Sequence, residues 1–467
     1  MDKKFAYNKY DKKTIKKVNA FAEDYREFIS TCKTERECCK RAVELLKKAG
    51  YEDIENIIAT GKKVKPGDKI YAVCYNKQIA VFRIGKKPLS EGLNILGAHI
   101  DSPRLDIKQN PLYEKEGLAF LDTHYYGGIK KYQWVTLPMA IHGVVAKKNG
   151  EIVDVVIGED PADSAVGVTD ILIHLAGKQM DKKANAAVEG ENLDVLIGSI
   201  SKTDDDGKSK KNGVKENILS ILKEKYGMEE EDFLSAELEV VPAGPARNFG
   251  FDNSMVIGYG HDDRVCAYPS LVAIMSIEDP ERTAACLLVD KEEIGSVGAT
   301  GMHSRFFENM IAELLELTGE NSGVALRRAL ANSYMLSSDV SAGLDPLYES
   351  AFEKKNAAYV GAGLVFNKYT GSRGKSGSND ANAEYVAMLR KMLDDAGVTY
   401  QTAELGKVDE GGGGTIAYIC ANLGMQVIDS GISVLCMHAP WEIISKADLY
   451  EAEKGYEVFL KEAGRRN

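Results

Sequence analysis

Two glutamates stand side by side in "CLLVDKEEIGSVGATG": Glu292 and Glu293, shortly after the apolar run Ala284 to Val289. Such a run, ended by charge and then glycine, reads as a buried strand that delivers its end to a working edge. Adjacent carboxylates repel, and in a site of low dielectric each raises the other's pKa unless a cation neutralises them. Taken alone, the pair reads first as a solvated turn at a strand end. Four other apolar segments end in the same chemistry. "LNILGAHID" ends in His99 and Asp101, "VIGYGHDDR" in His261, Asp262 and Asp263, "MLSSD" in Asp339, and "VLCMHAP" in His438. Three of the seven histidines in the chain lie on these ends, which favours a shared site over scattered surface charge.

Imidazoles and carboxylates without a thiolate cluster suit zinc, cobalt or manganese. Two divalent ions sharing one bridging carboxylate would use this many acidic groups. One glutamate of the pair would then ligate while its neighbour moves a proton. Asp101, two residues beyond His99 on a strand, projects to the same side and can orient the imidazole.

The elements that must position these groups alternate in type. Residues 11–50 read as helical, followed by the strands "KIYAVCY", "QIAVFRIG" and "LNILGAHID". After residue 247, short strands alternate with helices such as "HSRFFENMIAELLELTG" and "NAEYVAMLRKMLDDAG", the pattern of an α/β sheet flanked by helices. The stretch between differs, with strand-like pieces, the helical pieces "VTDILIHLAGKQ" and "VKENILSILKEKYG", and the polar loop "KTDDDGKSKKNG". The expected organisation is a three-layer α/β/α domain built from residues 1–102 and 248–467, with residues 103–247 inserted as a β-rich, barrel-like domain.

Composition removes several function classes. With 44% hydrophobic and 28% charged residues the chain is ordinary for a globular protein. A net charge of -11 argues against nucleic acid, whose phosphates need a basic face. No apolar run is long enough to span a bilayer, and the start "MDKKFAYNKYDKK" lacks a signal-peptide core. Eight scattered cysteines without a C-x-x-C pair suit a reducing cytoplasm.

Six stretches together, in order, carry a resemblance: "GAHIDSPRLDIK", "YYGG", "GHDDRVCAYPS", "DKEEIGSVGATG", "SSDVSAG" and "MHAPWEIISKADL". Over nearly its whole length the chain resembles the aspartyl-aminopeptidase family of dinuclear zinc aminopeptidases, cytosolic exopeptidases that assemble as tetrahedral dodecamers. The resemblance implies that His99, Asp262 and Asp339 bind one ion, and that Glu293, His438 and the shared Asp262 bind the other. It makes Glu292 the base that activates a metal-bridging water, and Asp101 the residue that orients His99. It also implies a cis peptide at Asp262–Asp263, peptide substrates cleaved at the N-terminal residue, and His174 offered to a neighbouring subunit's active site. By pattern alone His174 is a packed helix histidine.

"FNKYTGSRGKSGSND" contains Gly374-Lys375-Ser376, but Tyr369 occupies the place of the first glycine of a phosphate-binding loop, so nucleotide binding is not expected. The resemblance makes this region a specificity pocket in which Lys368, Arg373 or Lys375 pairs with an acidic side chain. This stretch and "YQWVTLPMA", which lacks the family's Asp-Arg pair, depart from the acid-specific pattern and leave a preference for Asp or Glu open. The four glycines Gly411 to Gly414 read as a turn or as backbone approached by substrate, with Gly413 a binding candidate. His124, His142 and His303 read as structural or surface residues, and His261 as shaping the site. The alternatives to an aminopeptidase are a metal-dependent amidohydrolase or deacylase on small amides, and a catalytically silent scaffold of the same fold.

Overall fold

The computed structural model describes residues 4–204, 206–208, 210–371 and 373–464; positions 205 and 209 of the polar "KTDDDGKSKKNG" loop lie outside them. The chain divides into two units. The first runs through Asp101, resumes over Ala246–Met437 and returns from Glu442 onward; the second comprises Ser102–Pro245 with His438–Trp441.

Nine strands build the main sheet of the first unit: β1 (Glu52–Asp53), β2 (Lys69–Cys74), β3 (Gln78–Arg83), β4 (Asn94–His99), β5 (Ala284–Val289), β6 (Tyr334–Ser337), β7 (Leu364–Asn367), β8 (Tyr400–Ala403) and β9 (Gln426–Gly431). Their order is β1-β2-β3-β5-β4-β6-β9-β7-β8. At its centre β5, β4, β6 and β9 run parallel, so their carboxyl ends share one edge. Alternation along each strand divides the core. Leu96 and Ala98 of β4 and Cys286 and Leu288 of β5 pack on one side; Ile95 of β4 and Leu287 and Val289 of β5 pack on the other. Continuous apolar strands of this kind are buried on both faces.

Helices α1 (Lys12–Thr31), α2 (Glu35–Lys48) and α3 (His261–Ser276) cover the first side with α6 (Ala383–Asp395) and α7 (Lys446–Glu462), while α4 (Phe306–Thr318) and α5 (Gly323–Ala331) cover the second. The helical stretch 11–50 is two helices rather than one. Thr34 accepts from the Glu37 amide while the Glu37 carboxylate accepts from the Thr34 amide, a reciprocal cap that starts a new helix. A smaller sheet in the same unit joins Arg247–Phe249, Met255–Gly258, Glu442–Ser445, Ser433–Leu435 and Ser341–Ala342.

The second unit is a seven-stranded antiparallel sheet, in the order Ile152–Ile157, Met139–Ala146, Ala236–Pro242, Arg104–Lys115, Leu118–Tyr126, Val195–Gly198, Gly167–Val168, with the helix Gly213–Tyr226. One expectation fails here: "VTDILIHLAGKQ" is not an amphipathic helix. Only a 3-10 turn at Ile173–Leu175 and a single α turn at Gly177–Met180 form. A helix of that length needs an apolar stripe buried against something, whereas Ile171, Leu172, Ile173 and Leu175 are all exposed, Ile173 and Leu175 at 68%. Among the described residues no helix is long and apolar enough to cross a membrane.

Candidate active site

The carboxyl edge of the central strands collects the expected residues. His99 is the last residue of β4, Glu292 and Glu293 open a 3-10 turn that starts three residues beyond β5, and Asp339 lies two residues beyond β6. Asp262 and Asp263 stand at the start of α3, joined by a cis peptide bond. Lys291 and Gly295 bracket the glutamate turn with left-handed backbone, φ 69° and 96°. This abrupt reversal turns both carboxylates back over the strand ends.

Asp101 is the hub. Fully buried, its Oδ1 accepts the Glu292 amide at 3.2 Å and its Oδ2 accepts the Glu293 amide at 3.2 Å. The same Oδ1 lies 3.3 Å from His99 Nδ1, which also reaches the Asp101 carbonyl oxygen at 3.0 Å. With Nδ1 engaged by oxygen acceptors, Nε2 is the nitrogen left to ligate. His99 Nε2 faces Asp262 Oδ1 at 3.1 Å and Glu292 Oε2 at 3.9 Å.

Within the first unit, two sets of ligating atoms each fall within 4.8 Å of one another: His99 with Asp262 and Asp339, and His99 with Glu292 and Glu293. Tetrahedral zinc with nitrogen and oxygen ligands spaces them by roughly 3.3 Å, a contraction that side-chain rotation supplies. The electrostatics fit a cation too. Burial, then the charges of Glu292 and Asp262, push the Asp339 carboxyl well above its usual range. Burial also raises Asp263, against the pull of His99 and with the push of Asp262. Burial alone would lower His99; the hydrogen bonds to Asp101 and Asp262 and the charge of Glu292 outweigh it and hold the ring well above the ordinary value. These directions mark a cluster of carboxylates whose mutual repulsion a dication would remove.

Three groups support these residues: Asp263, already named among the strand-end acids, and Glu442 and Tyr25, which the sequence did not single out. Glu442 Oε2 accepts the Asp262 amide at 3.0 Å. Asp263 Oδ2 accepts the His99 amide at 3.4 Å. Tyr25 of α1 meets His261 Nδ1 at 2.7 Å, and burial pushes that imidazole, next to Asp262 in the chain, down to about 3. A buried glutamate inside "APWEIIS" was the available signal for Glu442.

The other expected residues divide between the two units. In the second unit, His438 directs Nδ1 to the Gly128 carbonyl oxygen at 2.8 Å, so Nδ1 carries the proton and Nε2 the lone pair, and His174 sits on the exposed turn described above. In the first unit, Gly413 donates its amide to the Thr370 carbonyl oxygen at 3.0 Å. Lys368 and Lys375 both pair with Asp380, and Arg373 is exposed with φ 43°. His142 is buried against Glu159, and His303 reaches the Tyr418 hydroxyl.

The sequence pattern of the family described as aminopeptidase I zinc metalloprotease (M18) matches residues 28–460. The chain belongs to the M18 family. A probable M18 family aminopeptidase 1 of Clostridium acetobutylicum is 60% identical over 457 residues, covering 98% of each chain. The crystal structure of an M18 aminopeptidase from Thermotoga maritima superposes with a TM-score of 0.93 at 42% identity over 99% of each chain. That of aminopeptidase I from Clostridium acetobutylicum gives 0.92 at 56% identity, over 98% of this chain and 99% of that one. The M18 chain is accordingly a metal-dependent aminopeptidase, a hydrolase of N-terminal residues, and the family's metal is zinc. The α/β fold read from the alternating strands and helices is the fold of these relatives.

Proposed function

We propose that this M18 aminopeptidase works with two divalent ions, one held by His99, Asp262 and Asp339, the other by Glu293, His438 and the shared Asp262. Glu292 is the general base and Asp101 the residue that positions it. The observation that carries the reading is the grip of Asp101 on both glutamate amides while it also fixes His99. One carboxylate thereby sets the direction of a ligand, a second ligand and a base together.

Bound zinc supplies Lewis acidity toward the scissile carbonyl and lowers the pKa of water. Glu292 takes a proton from the attacking water and returns it to the leaving amine, so that water and peptide become a free amino acid and a shortened peptide. The enclosure of His99, Asp101 and Asp262 keeps bulk water from competing for these charges.

The assembly we propose is a homo-oligomer, dimers building a dodecamer. The exposed apolar run around His174 supports it, since such a patch is expected to meet a partner copy. A cytoplasmic setting suits the eight unbridged cysteines.

Glu292→Gln tests the division of labour between the glutamates. Both ions should be retained by elemental analysis while turnover falls by about 10²- to 10⁴-fold, the worth of a general base. Zinc loss in that variant would make Glu292 a ligand and sink the assignment. Cleavage of N-acetylated but not free-amine substrates would replace the aminopeptidase with a deacylase.

A further inference from the structure

We infer that the corner of the main sheet where β2 begins and β3 ends is a binding site for a free amino acid, separate from the reacting edge. A free amino acid is also what hydrolysis of an N-terminal residue releases, so the ligand class is that of the enzyme's own product.

Two cations face each other at this corner. Lys69, the first residue of β2, lies directly opposite Arg83, the last residue of β3. Opposed positions of an antiparallel pair put their side chains on one face, where like charges repel. Neither side chain pairs with a carboxylate among the described residues. Lys69 Nζ donates to the Ala49 carbonyl oxygen at 2.8 Å, and Arg83 Nη1 to the Gly67 carbonyl oxygen at 2.7 Å. Arg83 is only 8% exposed, and its buried Nε meets no acceptor. Buried donors are normally paired, and a guanidinium is built to grip both oxygens of one carboxylate. An anion at this corner would relieve the repulsion and supply the missing acceptor together.

There is room for one. A cavity of about 310 Å³ opens here, lined by both cations and by Glu52, Lys62 and Asp68, a volume at the lower end for small-molecule sites. Lys62 bonds Glu52 and also feels the charge of Asp68. One ammonium thus answers two carboxylates, and a negative charge is left over beside the two positive charges of Lys69 and Arg83. A simple anion would satisfy the cations alone. A zwitterion satisfies both signs, its carboxylate between Lys69 and Arg83 and its ammonium toward Glu52 and Asp68. Ile57 and Ile70 complete the lining with an apolar wall for the side chain. The corner is remote from the chemistry. Arg83 lies opposite Ala284, the first residue of β5, whereas Glu292 and Glu293 follow its last residue, Val289. That length of strand is about 17 Å, so an occupant of the corner touches neither His99 nor the glutamate pair.

The test is isothermal titration calorimetry of L-leucine into the zinc-loaded full chain. Leucine held at the reacting edge is common to every variant, so the corner is read as the component that depends on Arg83. In Arg83→Gln that component should weaken by about 10- to 150-fold, the worth of hydrogen bonds to a charged group. The kcat/KM on leucyl-p-nitroanilide should stay at the wild-type value. Lys69→Gln, at a half-buried position, serves as a second variant if Arg83→Gln folds poorly. Leucinamide, which lacks the carboxylate, should not bind the corner, and N-acetylleucine, which lacks the ammonium, should bind it more weakly than leucine. Identical leucine isotherms in wild type and both variants overturn the inference and leave the aminopeptidase standing. Arg83-dependent binding of N-acetylleucine or inorganic phosphate as tight as that of leucine overturns the amino-acid class.

Discussion

Asp101→Asn isolates the hub of the site. The wild-type carboxylate accepts two backbone amides, Glu292 and Glu293, each at 3.2 Å, and lies 3.3 Å from His99 Nδ1. An asparagine fills the same space with one acceptor oxygen and a donating NH2 group. One glutamate amide, in a partly buried turn, therefore loses its acceptor beside the fully buried side chain of residue 101. An unsatisfied buried N–H costs about 1–3 kcal/mol, and a hydrogen bond to a charged group contributes about 1.5–3 kcal/mol. Taking about 2–3 kcal/mol as the bias against the working turn gives a fall in kcat of about 30- to 150-fold. The assay is steady-state cleavage of a free-amine p-nitroanilide, with zinc measured by elemental analysis on the same samples. A low kcat with zinc and KM near wild type places the effect on Glu292; loss of zinc places it on His99 and Glu293. Wild-type kcat with full zinc would refute the reasoning, because the two amide bonds would then be idle.

Other perturbations separate the remaining roles. Asp262→Asn should weaken zinc binding by about 10- to 100-fold, the scale of loss around a metal site; equilibrium dialysis showing undiminished zinc would remove Asp262 as the shared ligand. Burial pushes Asp448 up to about 7, against the bonds from the Gly361 and Gly363 amides and Ser433. Its folded pKa lies above its unfolded one, so its contribution to stability is full below about pH 4 and is lost as pH rises through 7. Thermal midpoints between pH 4 and pH 7.5 should therefore fall more steeply in wild type than in Asp448→Asn, and parallel slopes would contradict this. Ile173→Asp on the exposed run should lower the mass seen by light scattering; an unchanged mass would take His174 off the list of site residues.

Much of the site was legible because buried parallel strands leave an unambiguous trace. Ala284–Val289 is apolar without interruption since both its faces are covered, so the charges that follow must lie at an edge. The two-residue period of a strand placed Asp101 with His99 for the same reason. The grip of Asp101 on the glutamate amides left no trace, because backbone donors have no letter in the sequence. Glu442 was missed because its partner is likewise an amide, that of Asp262. The segment around His174 misled since its apolar residues recur at helical spacing although they are exposed; periodicity reports a face to be covered, not what covers it.

The position of β4 bears on how the chain is made. This strand is complete at His99, yet its two neighbours are β5, which begins at Ala284, and β6, which begins at Tyr334. A ribosome that adds about 5–20 residues per second leaves β4 without either partner for roughly 10–40 seconds. Throughout that interval the nascent chain presents two bare edges on an apolar strand, an invitation to pair wrongly with another copy. The second unit is different, since all of its strands up to Pro242 are made before β5 emerges. It can mature while the catalytic half waits, and zinc could find the proposed ligands His99, Asp262 and Asp339 together only late in synthesis. Metal uptake thus marks a finished polypeptide, and a truncated one made by premature termination would be both unmetallated and sticky.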